Sequence, residues 1–557
     1  MRQLAGVTAL GLFFALLRTV AVAAEPSLPE GFETEVVADG FQVPTAIAFA
    51  PGERIFVAEK RGLVWIVDHG VRLSEPFLDL RNEVNDARDR GMLGVAVDPE
   101  FESSPWVYVL YVVDPVFGPP EEPGTEPTFG RLTRYLADPE HDGNRALLSS
   151  RHVLIGAEPG QGFIHCSDSH AVGTIRFAAD GTLLVGSGDG AAYFGVDAGG
   201  RQPECFAPGL FDKVHDIGAF RSQFLGSPAG KILRIDRATG QGLPSNPFFT
   251  GNPDDVRSKV WVNGLRNPFR FCLRPESGPP ERIYAGDVGW WSFEEIDVAR
   301  GGENFGWPCY EGAGEQKEYI DAAPTHSDCT TIESPDNPGP LTPPLITWHH
   351  RDPARSMPPG FRGRCALGGA FYVGRDYPAE YEGRYFFGDY SNDWIRVLTV
   401  DEEDRFVDLR PFGEGMGRLV ALEADPVTGD LVYVSIQGSI RRIVYPRQGA
   451  CCVGGHCRMT REDDCSKCGD RDPPWRCDGD VDGDGQVNPV DVGLVQSAFG
   501  STEREALCRY DVDCDGLINP VDVGIVQALF GTCLSPRDPC GAGRWFSGKD
   551  CESIDCP

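Results

Sequence analysis

Beyond its first residues the chain has no run of about twenty uninterrupted apolar residues, the length a membrane-spanning helix needs, and this predicts no membrane insertion. It is also short of positive charge. Against 83 Asp and Glu stand only 51 Lys and Arg, a formal net charge of -32 that repels phosphate backbones and anionic lipids and predicts no nucleic-acid partner. Between residues 44 and 444 helical periodicity is missing too, so a helical body is excluded. What fills the 557 residues is a composition 41% hydrophobic and 24% charged, typical of globular proteins, in a chain too long for one ordinary core. One large domain with appendages is expected.

At the N-terminus Arg2 precedes an apolar run over residues 4–17. The small residues Ala21, Val22, Ala23 and Ala24 then stand before Glu25, the layout of a secretory signal over residues 1–24. Export predicts a secreted protein, extracellular, periplasmic or on the cell surface, in an oxidising compartment. The eighteen cysteines fall into blocks of six (Cys166 to Cys365) and twelve (Cys451 to Cys556). Even counts in such a compartment favour disulfides over reactive thiols.

From residue 44 onward one pattern recurs: an alternating apolar strand, a turn rich in Asp, Pro and Gly, and a second strand. It is clearest at residues 45–58 and 174–186 and weaker at 93–112, 269–285 and 419–434. Repeated hairpins in about 400 residues without helices predict radial repetition, since blades around an axis leave few exposed strand edges. The expected fold is mainly β, a six-bladed β-propeller, with a pair of packed sandwiches as the alternative.

Inside the repeats, His170 stands just before one strand and Asp189 just after its hairpin partner, so the two ends meet. Asp189 can then accept a hydrogen bond from His170 and fix its tautomer, leaving the other ring nitrogen as the acceptor of a proton. Two further segments follow: Gly264-Leu-Arg266-Asn267-Pro268-Phe-Arg270, and Asp287-Val-Gly289-Trp290-Trp-Ser-Phe-Glu294-Glu295 with Gly302-Glu-Asn304-Phe-Gly306-Trp307-Pro308 behind it. With Arg90-Gly-Met-Leu-Gly94 upstream and Gly368-Gly-Ala-Phe-Tyr-Val-Gly downstream, they resemble the soluble quinoprotein glucose and sorbosone dehydrogenase family over residues 30–445. The branch that includes hedgehog-interacting-like proteins is especially similar, through Asp287-Val-Gly289 and Tyr385-Phe-Phe-Gly-Asp-Tyr390.

The resemblance implies a six-bladed propeller that binds pyrroloquinoline quinone (PQQ) and calcium and oxidises a sugar. His170 would be the general base, with Asp189 orienting it. Arg266 would stabilise the reduced ring, Asn267 would add a neutral donor, and Gly289 and Trp290 would offer backbone carbonyls to calcium. Glu294 and Glu295 read as a structural pair anchoring that loop. Where the family carries cations that grip the carboxylates of PQQ, this chain reads Gly388-Asp389-Tyr390-Ser-Asn-Asp393-Trp394. That acidic stretch opposes the cofactor unless Arg364, Arg375 or Arg396 substitutes, and it favours the alternative of a non-catalytic propeller that binds carbohydrate or protein.

A twelve-residue loop occurs twice in register. Asp480, Asp482, Asp484 and Asp491 in the first copy match Asp511, Asp513, Asp515 and Asp522 in the second. Gly485 and Gly516 allow the sharp turn, and Gln486 and Leu517 supply backbone oxygens. Hard oxygen donors at alternate positions suit two calcium ions. Each loop enters a helix capped by Asn488 or Asn519, with Pro in the first turn and an apolar face at Val492, Val495 and Phe499 in the first copy. Position 12 is Asp, where ordinary EF-hands have Glu, and the entering helix is missing. Both traits resemble type I dockerin, a module that docks onto cohesin domains, and both copies carry Pro-Val at the positions that help choose the cohesin. A small α-helical calcium-binding module is therefore expected over residues 478–533, between Cys-rich segments at 446–477 and 534–557. Those segments read as two halves of one disulfide-stapled unit, and Cys465 and Cys468 as disulfide partners rather than zinc ligands.

Overall fold

The computed structural model describes residues 26–114, 124, 126–206, 210–323, 329–446, 448–453, 456–461 and 489–497. Each repeated hairpin forms the two innermost strands of a separate antiparallel sheet. Blade 1 runs outward through Pro44–Ala50, Arg54–Glu59 and Leu63–Asp68. Blade 2 has Met92–Val97, Trp106–Val112, Thr128–Ala137 and Ala146–Ile155. Blade 3 has Val172–Phe177, Leu183–Ser187, Lys231–Ile235 and Val260–Asn263. Blade 4 has Pro268–Leu273, Ile283–Asp287, Phe293–Ala299 and Ile346–His349. Blade 5 has Ala366–Phe371, Tyr385–Asp389, Trp394–Val400 and Phe406–Glu414. The innermost strands contact one another in a closed ring, which excludes packed sandwiches.

Blade 6 closes that ring with both ends of the domain. Leu419–Ala424, Leu431–Ser435 and Ser439–Val444 come from its end, and the outermost strand, Glu33–Asp39, comes from its start and pairs antiparallel with Ser439–Val444. Most strands place apolar residues on both faces, because each blade is sandwiched between two others. Phe56, Val109 and Tyr135 fill one such interface, and Leu110, Val185 and Leu233 another, all at 1% exposure or less. Burying side chains of this size contributes about 1.5–3 kcal/mol each. Polar groups plug the axis. Buried Arg270 of blade 4 donates to the carbonyls of Thr45 in blade 1 (2.7 Å) and Val420 in blade 6 (3.0 Å), and Arg176 of blade 3 pairs with Glu423 of blade 6 at 2.6 Å.

Two disulfides staple long connections, Cys166–Cys205 beside blade 3 and Cys309–Cys329 after the third strand of blade 4. The expectation that all six cysteines of this block pair is corrected: Cys272 and Cys365 are free thiols. Burial raises both thiols, Cys272 to about 12, so neither is a ready nucleophile and Cys272 packs as a small apolar residue.

Past the ring, Gln448–Val453 and His456–Arg461 form a hairpin. A helix spans Pro489–Ser497 with Val492 and Val495 buried, and it starts at the proline placed in the first turn from the sequence. The signal segment, calcium-loop residues Asp480, Asp482, Asp484 and Gln486, the whole second loop (Asp511, Asp513, Asp515, Leu517, Asp522) and the tail cysteine pairs lie outside the described residues. Asp491 lies in the helix.

Candidate active site

In every blade the connection that enters the innermost strand lies at the same end as the turn between the second and third strands. His170, Asp189, Arg266, Asn267, Gly289 and Trp290 all belong to such segments, so blades 3 and 4 bring them to one rim. His170 Nδ1 and Asp189 Oδ1 are 2.7 Å apart. The approach is tight: a Cβ on Gly188 would lie 2.4 Å from the His170 carbonyl, and one on Gly190, whose φ is +60°, 2.0 Å from that of Ile164. Glycines on both sides of Asp189 are thus a packing requirement. His170 itself has a φ of +52°, a left-handed conformation a non-glycine residue rarely adopts.

Asp189 is fully buried. Its Oδ2 accepts from Trp307 Nε1 (2.8 Å), and its backbone carbonyl from Arg221 Nε (3.0 Å). Burial alone would raise this carboxyl. The charge and hydrogen bond of His170, with the charge of Arg266, outweigh burial and hold it below the ordinary carboxylate range. Asp189 therefore stays ionised, and His170 Nε2 is left without a hydrogen-bond partner among the described residues.

Arg266 faces the same space. Asp287 fixes its loop by accepting from the backbone N–H groups of Arg266 (2.8 Å) and Asn267 (2.6 Å). The guanidinium stacks over Trp307 at 5.4 Å and donates to the carbonyls of Val288 (2.8 Å) and Gly289 (2.5 Å), while its buried Nε has no hydrogen-bond partner among the described residues. The side-chain amide of Asn267 is also unengaged among the described residues. Glu311 holds the Gly289–Trp290 loop: one of its oxygens accepts from the N–H groups of Trp290, Trp291, Ser292 and Phe293 at 2.9–3.1 Å.

Trp307 and Arg90 were visible only as parts of family motifs, and Arg221 and Glu311 carried no sequence signal at all. Arg90 is fully buried and donates to the carbonyls of His165 (3.4 Å) and Ser167 (3.1 Å), which shapes the approach to His170.

A planar, tricarboxylate quinone needs a base, a cation over its oxygens and cations for its carboxylates. The open Nε2 of His170 and the unpartnered Nε of Arg266 fit the first two. For the third, the partners of the acidic stretch matter. Asp389 is buried and accepts from the N–H groups of Arg364 (2.7 Å), Cys365 (3.0 Å) and Asn392 (2.7 Å) and from Trp348 Nε1 (3.0 Å). Asp393 accepts from the N–H groups of Gly417 (3.1 Å) and Arg418 (2.7 Å). These carboxylates organise backbone, and the neighbouring cavity is lined by Arg351, Arg362, Arg364 and His350 together with Ser391 and Asn392. Of the three candidate substitutes, Arg396 is paired with Glu414 (2.7 Å), and Arg364 lines that cavity. The residues present fit the group. For calcium the fit is poorer, because the Gly289 carbonyl already accepts from Arg266.

Comparison with known proteins places this geometry. The glucose/sorbosone dehydrogenase family model matches residues 41–443, and the type I dockerin domain model matches residues 478–530. Among curated proteins, the HIPL2 protein of Arabidopsis thaliana is 25% identical over 432 residues, 69% of this chain and 56% of that protein. Quinoprotein glucose dehydrogenase B of Acinetobacter calcoaceticus is 24% identical over 295 residues, 52% of this chain and 55% of its own length. The chain thus spans little more than half the length of these relatives. A PQQ-bound aldose sugar dehydrogenase from Streptomyces coelicolor shares the fold at a TM-score of 0.50 and 18% identity, covering 75% of this chain and 99% of that one. The soluble aldose sugar dehydrogenase of Escherichia coli shares it at 0.51 and 19%, covering 74% and 99%. With the six-bladed ring complete and the family model matched over residues 41–443, well over half of the chain, the chain belongs to the glucose/sorbosone dehydrogenase family.

Proposed function

We propose that the protein is a secreted, PQQ-dependent sugar dehydrogenase, held where it acts by a calcium-loaded dockerin-like module that docks onto a cohesin-like partner. The observation that carries the catalytic part is the buried His170–Asp189 pair, whose remaining imidazole nitrogen opens toward the same space as Arg266. PQQ, when bound, supplies the two-electron oxidising capacity that no side chain here has.

The chain's own residues do the rest. His170 Nε2 receives the proton of the sugar hydroxyl. Asp189, kept ionised and pinned by Trp307, stabilises the resulting imidazolium and holds the ring in its tautomer. Arg266 puts a fixed positive charge beside the oxygens of the electron acceptor, and Asn267 adds a neutral donor. Tyr193, Phe194 and Trp291, 48%, 64% and 49% exposed, form an aromatic rim joined to the site by the Trp290 Nε1 hydrogen bond to the Tyr193 carbonyl (3.0 Å). Flat apolar faces of this kind suit the C–H face of a pyranose. In the tail, Asp480, Asp482, Asp484, Asp491 and their counterparts Asp511, Asp513, Asp515 and Asp522 hold the two ions.

Apoprotein incubated with calcium and PQQ is expected to reduce a dye with one or more aldoses, and His170→Ala to abolish turnover while calcium binding by the tail persists. Absence of both activity and retained quinone absorbance sinks the enzyme reading. A second reading, a quinone-free propeller that binds carbohydrate, is favoured by the Gly289 carbonyl already engaged by Arg266. Saturable binding of sugar in the same experiment, without quinone uptake, would establish it.

A further inference from the structure

One buried turn lies behind the hairpin that joins His170 to Asp189. It belongs to the long connection of blade 3, residues 188–230, which the Cys166–Cys205 disulfide ties to the approach to His170. Gly218–Ser222 forms a short 3-10 helix, buried at every position. Its Arg221, 1% exposed, donates from Nε to the Asp189 carbonyl (3.0 Å), from Nη2 to the Gly190 carbonyl (3.0 Å) and from Nη1 to the His215 carbonyl (3.1 Å). Just beyond, Gln223 donates to the carbonyl of Trp307 (2.7 Å), the residue whose indole holds the Asp189 carboxylate. One turn thus grips Asp189 twice, by its backbone and, through Trp307, by its carboxylate.

Lys231 locks the turn in place. It is fully buried, and its Nζ donates to the carbonyls of Arg221 (2.7 Å), Ser222 (3.1 Å) and Ala229 (3.0 Å). Elsewhere in the molecule arginines gather around carboxylates: Arg274, Arg282 and Arg300 converge on Asp404, and Arg131 and Arg151 share Glu83. Arg221 and Lys231 form no ion pair among the described residues, and burial lowers both groups from their ordinary values. Burying a cation on such terms is costly, and a neutral donor would satisfy a carbonyl without that cost. What a neutral side chain lacks is the rigid, planar fork that holds two successive carbonyls at once. The carbonyls of Asp189 and Gly190 set the direction in which the Asp189 side chain leaves the backbone. Its N–H is fixed from the other side by the Arg266 carbonyl (2.8 Å).

We propose that Arg221 is a positioning residue for the proton transfer assigned to His170. Its fork aims the Asp189 carboxylate, and Asp189 in turn aims the imidazole so that Nε2 faces the open space. The inference rests on the base pair of the proposed function, yet the aim of the ring is a property of the apoprotein and is measurable without turnover.

The test uses the full chain with Arg221→Lys, which keeps a cation but not the fork, and Arg221→Gln, which keeps a donor but no charge. In apoprotein, proton NMR follows the downfield Nδ1–H of His170, the resonance that His170→Ala removes. Both variants are expected to displace it and, after reconstitution with calcium and PQQ, to lower kcat about 10–100-fold with KM for the sugar within about twofold of wild type. Asp404→Ala, which loosens the joint of blades 4 and 5, controls for general destabilisation and should leave both readouts as in wild type. The proposal is overturned by an unmoved resonance, by its absence from wild type, or by a moved one with kcat unchanged. Equal changes in Asp404→Ala, or failure of both Arg221 variants to fold, mark Arg221 as scaffold and overturn it too. A displaced resonance in protein that shows no turnover with PQQ, wild type included, keeps the aiming of His170 by Arg221 and removes the dehydrogenase reading instead.

Discussion

A histidine held at φ +52° costs about 1–2 kcal/mol relative to ordinary backbone, and here the neighbours enforce it. The Asp189 carboxylate fixes the ring from one side, and close approach at Gly188 closes the hairpin behind it. Asp189→Asn keeps the volume but removes the charge that stabilises the imidazolium. The expected result is a fall in kcat of about 10²–10⁴-fold with KM little changed, read by steady-state dye reduction. Equal losses in kcat with the Gln and Asn variants of Trp307 and Asp189 are not required, since Trp307 acts through Asp189. The pair was legible in the sequence because one hairpin brings its two ends together. Trp307 was not, because it reaches Asp189 across 118 positions of chain. A second histidine predicts acid sensitivity. His165 is fully buried, neither ring nitrogen has a hydrogen-bond partner among the described residues, and burial with the charges of Arg90 and Arg221 lowers it to about 3. The unfolded chain, near 6.5, binds that proton first, so this residue's contribution is complete above pH 6.5 and is lost as pH falls toward 3. At pH 4.5 the loss is about 3 kcal/mol. His165→Leu should flatten the fall in unfolding free energy between pH 7 and 4.5 by about that much in urea titrations, whereas parallel curves would show that the residue does not titrate alone.

Among the elements, the inner hairpins were readable and the outer strands were not. Residues 45–58 are apolar on both faces because each inner strand packs between neighbouring blades. Phe406–Glu414, at the outer edge of blade 5, is largely exposed and carries little apolar signal. The blade 5 hairpin itself escaped the repeat because Ala366–Phe371 and Tyr385–Asp389 are separated by a long turn. The partners of the acidic stretch after residue 388 were not legible for another reason: charge in a sequence does not reveal direction, and Asp389 and Asp393 accept from backbone N–H groups. Blades 4 and 5 are also joined by one carboxylate. Asp404, 2% exposed, accepts from Arg274, from Arg282 (2.8 Å), from Arg300 (2.5 Å) and from the Tyr284 hydroxyl (2.7 Å). Asp404→Ala strands three guanidinium groups that are partly solvated, and should destabilise the propeller by about 3 kcal/mol in denaturant titration. A loss below about 0.5 kcal/mol would mean that solvent replaces the carboxylate without cost.

Over the whole molecule, the matches to two separate families divide the chain into a ring and a tail that answer to different conditions. The ring is built on apolar blade interfaces and two disulfides, the proposed tail module on bound calcium. Chelation by EDTA is therefore expected to make residues 478–530 cleavable by protease and to abolish capture by a cohesin, while residues 41–443 stay resistant and unfold cooperatively at an unchanged midpoint. Loss of the propeller's resistance in EDTA would place a structural ion in the ring as well. The closing blade gives the proposed tether a mechanical meaning. The tail leaves from the end of Ser439–Val444, a strand flanked on one side by Leu431–Ser435 and on the other by the N-terminal Glu33–Asp39. A pull on the anchored tail runs along that strand, so two ladders of hydrogen bonds bear it in shear and must give way together. If the tail is anchored as proposed, the ring closure doubles as a load-bearing grip, set where drag would enter the fold.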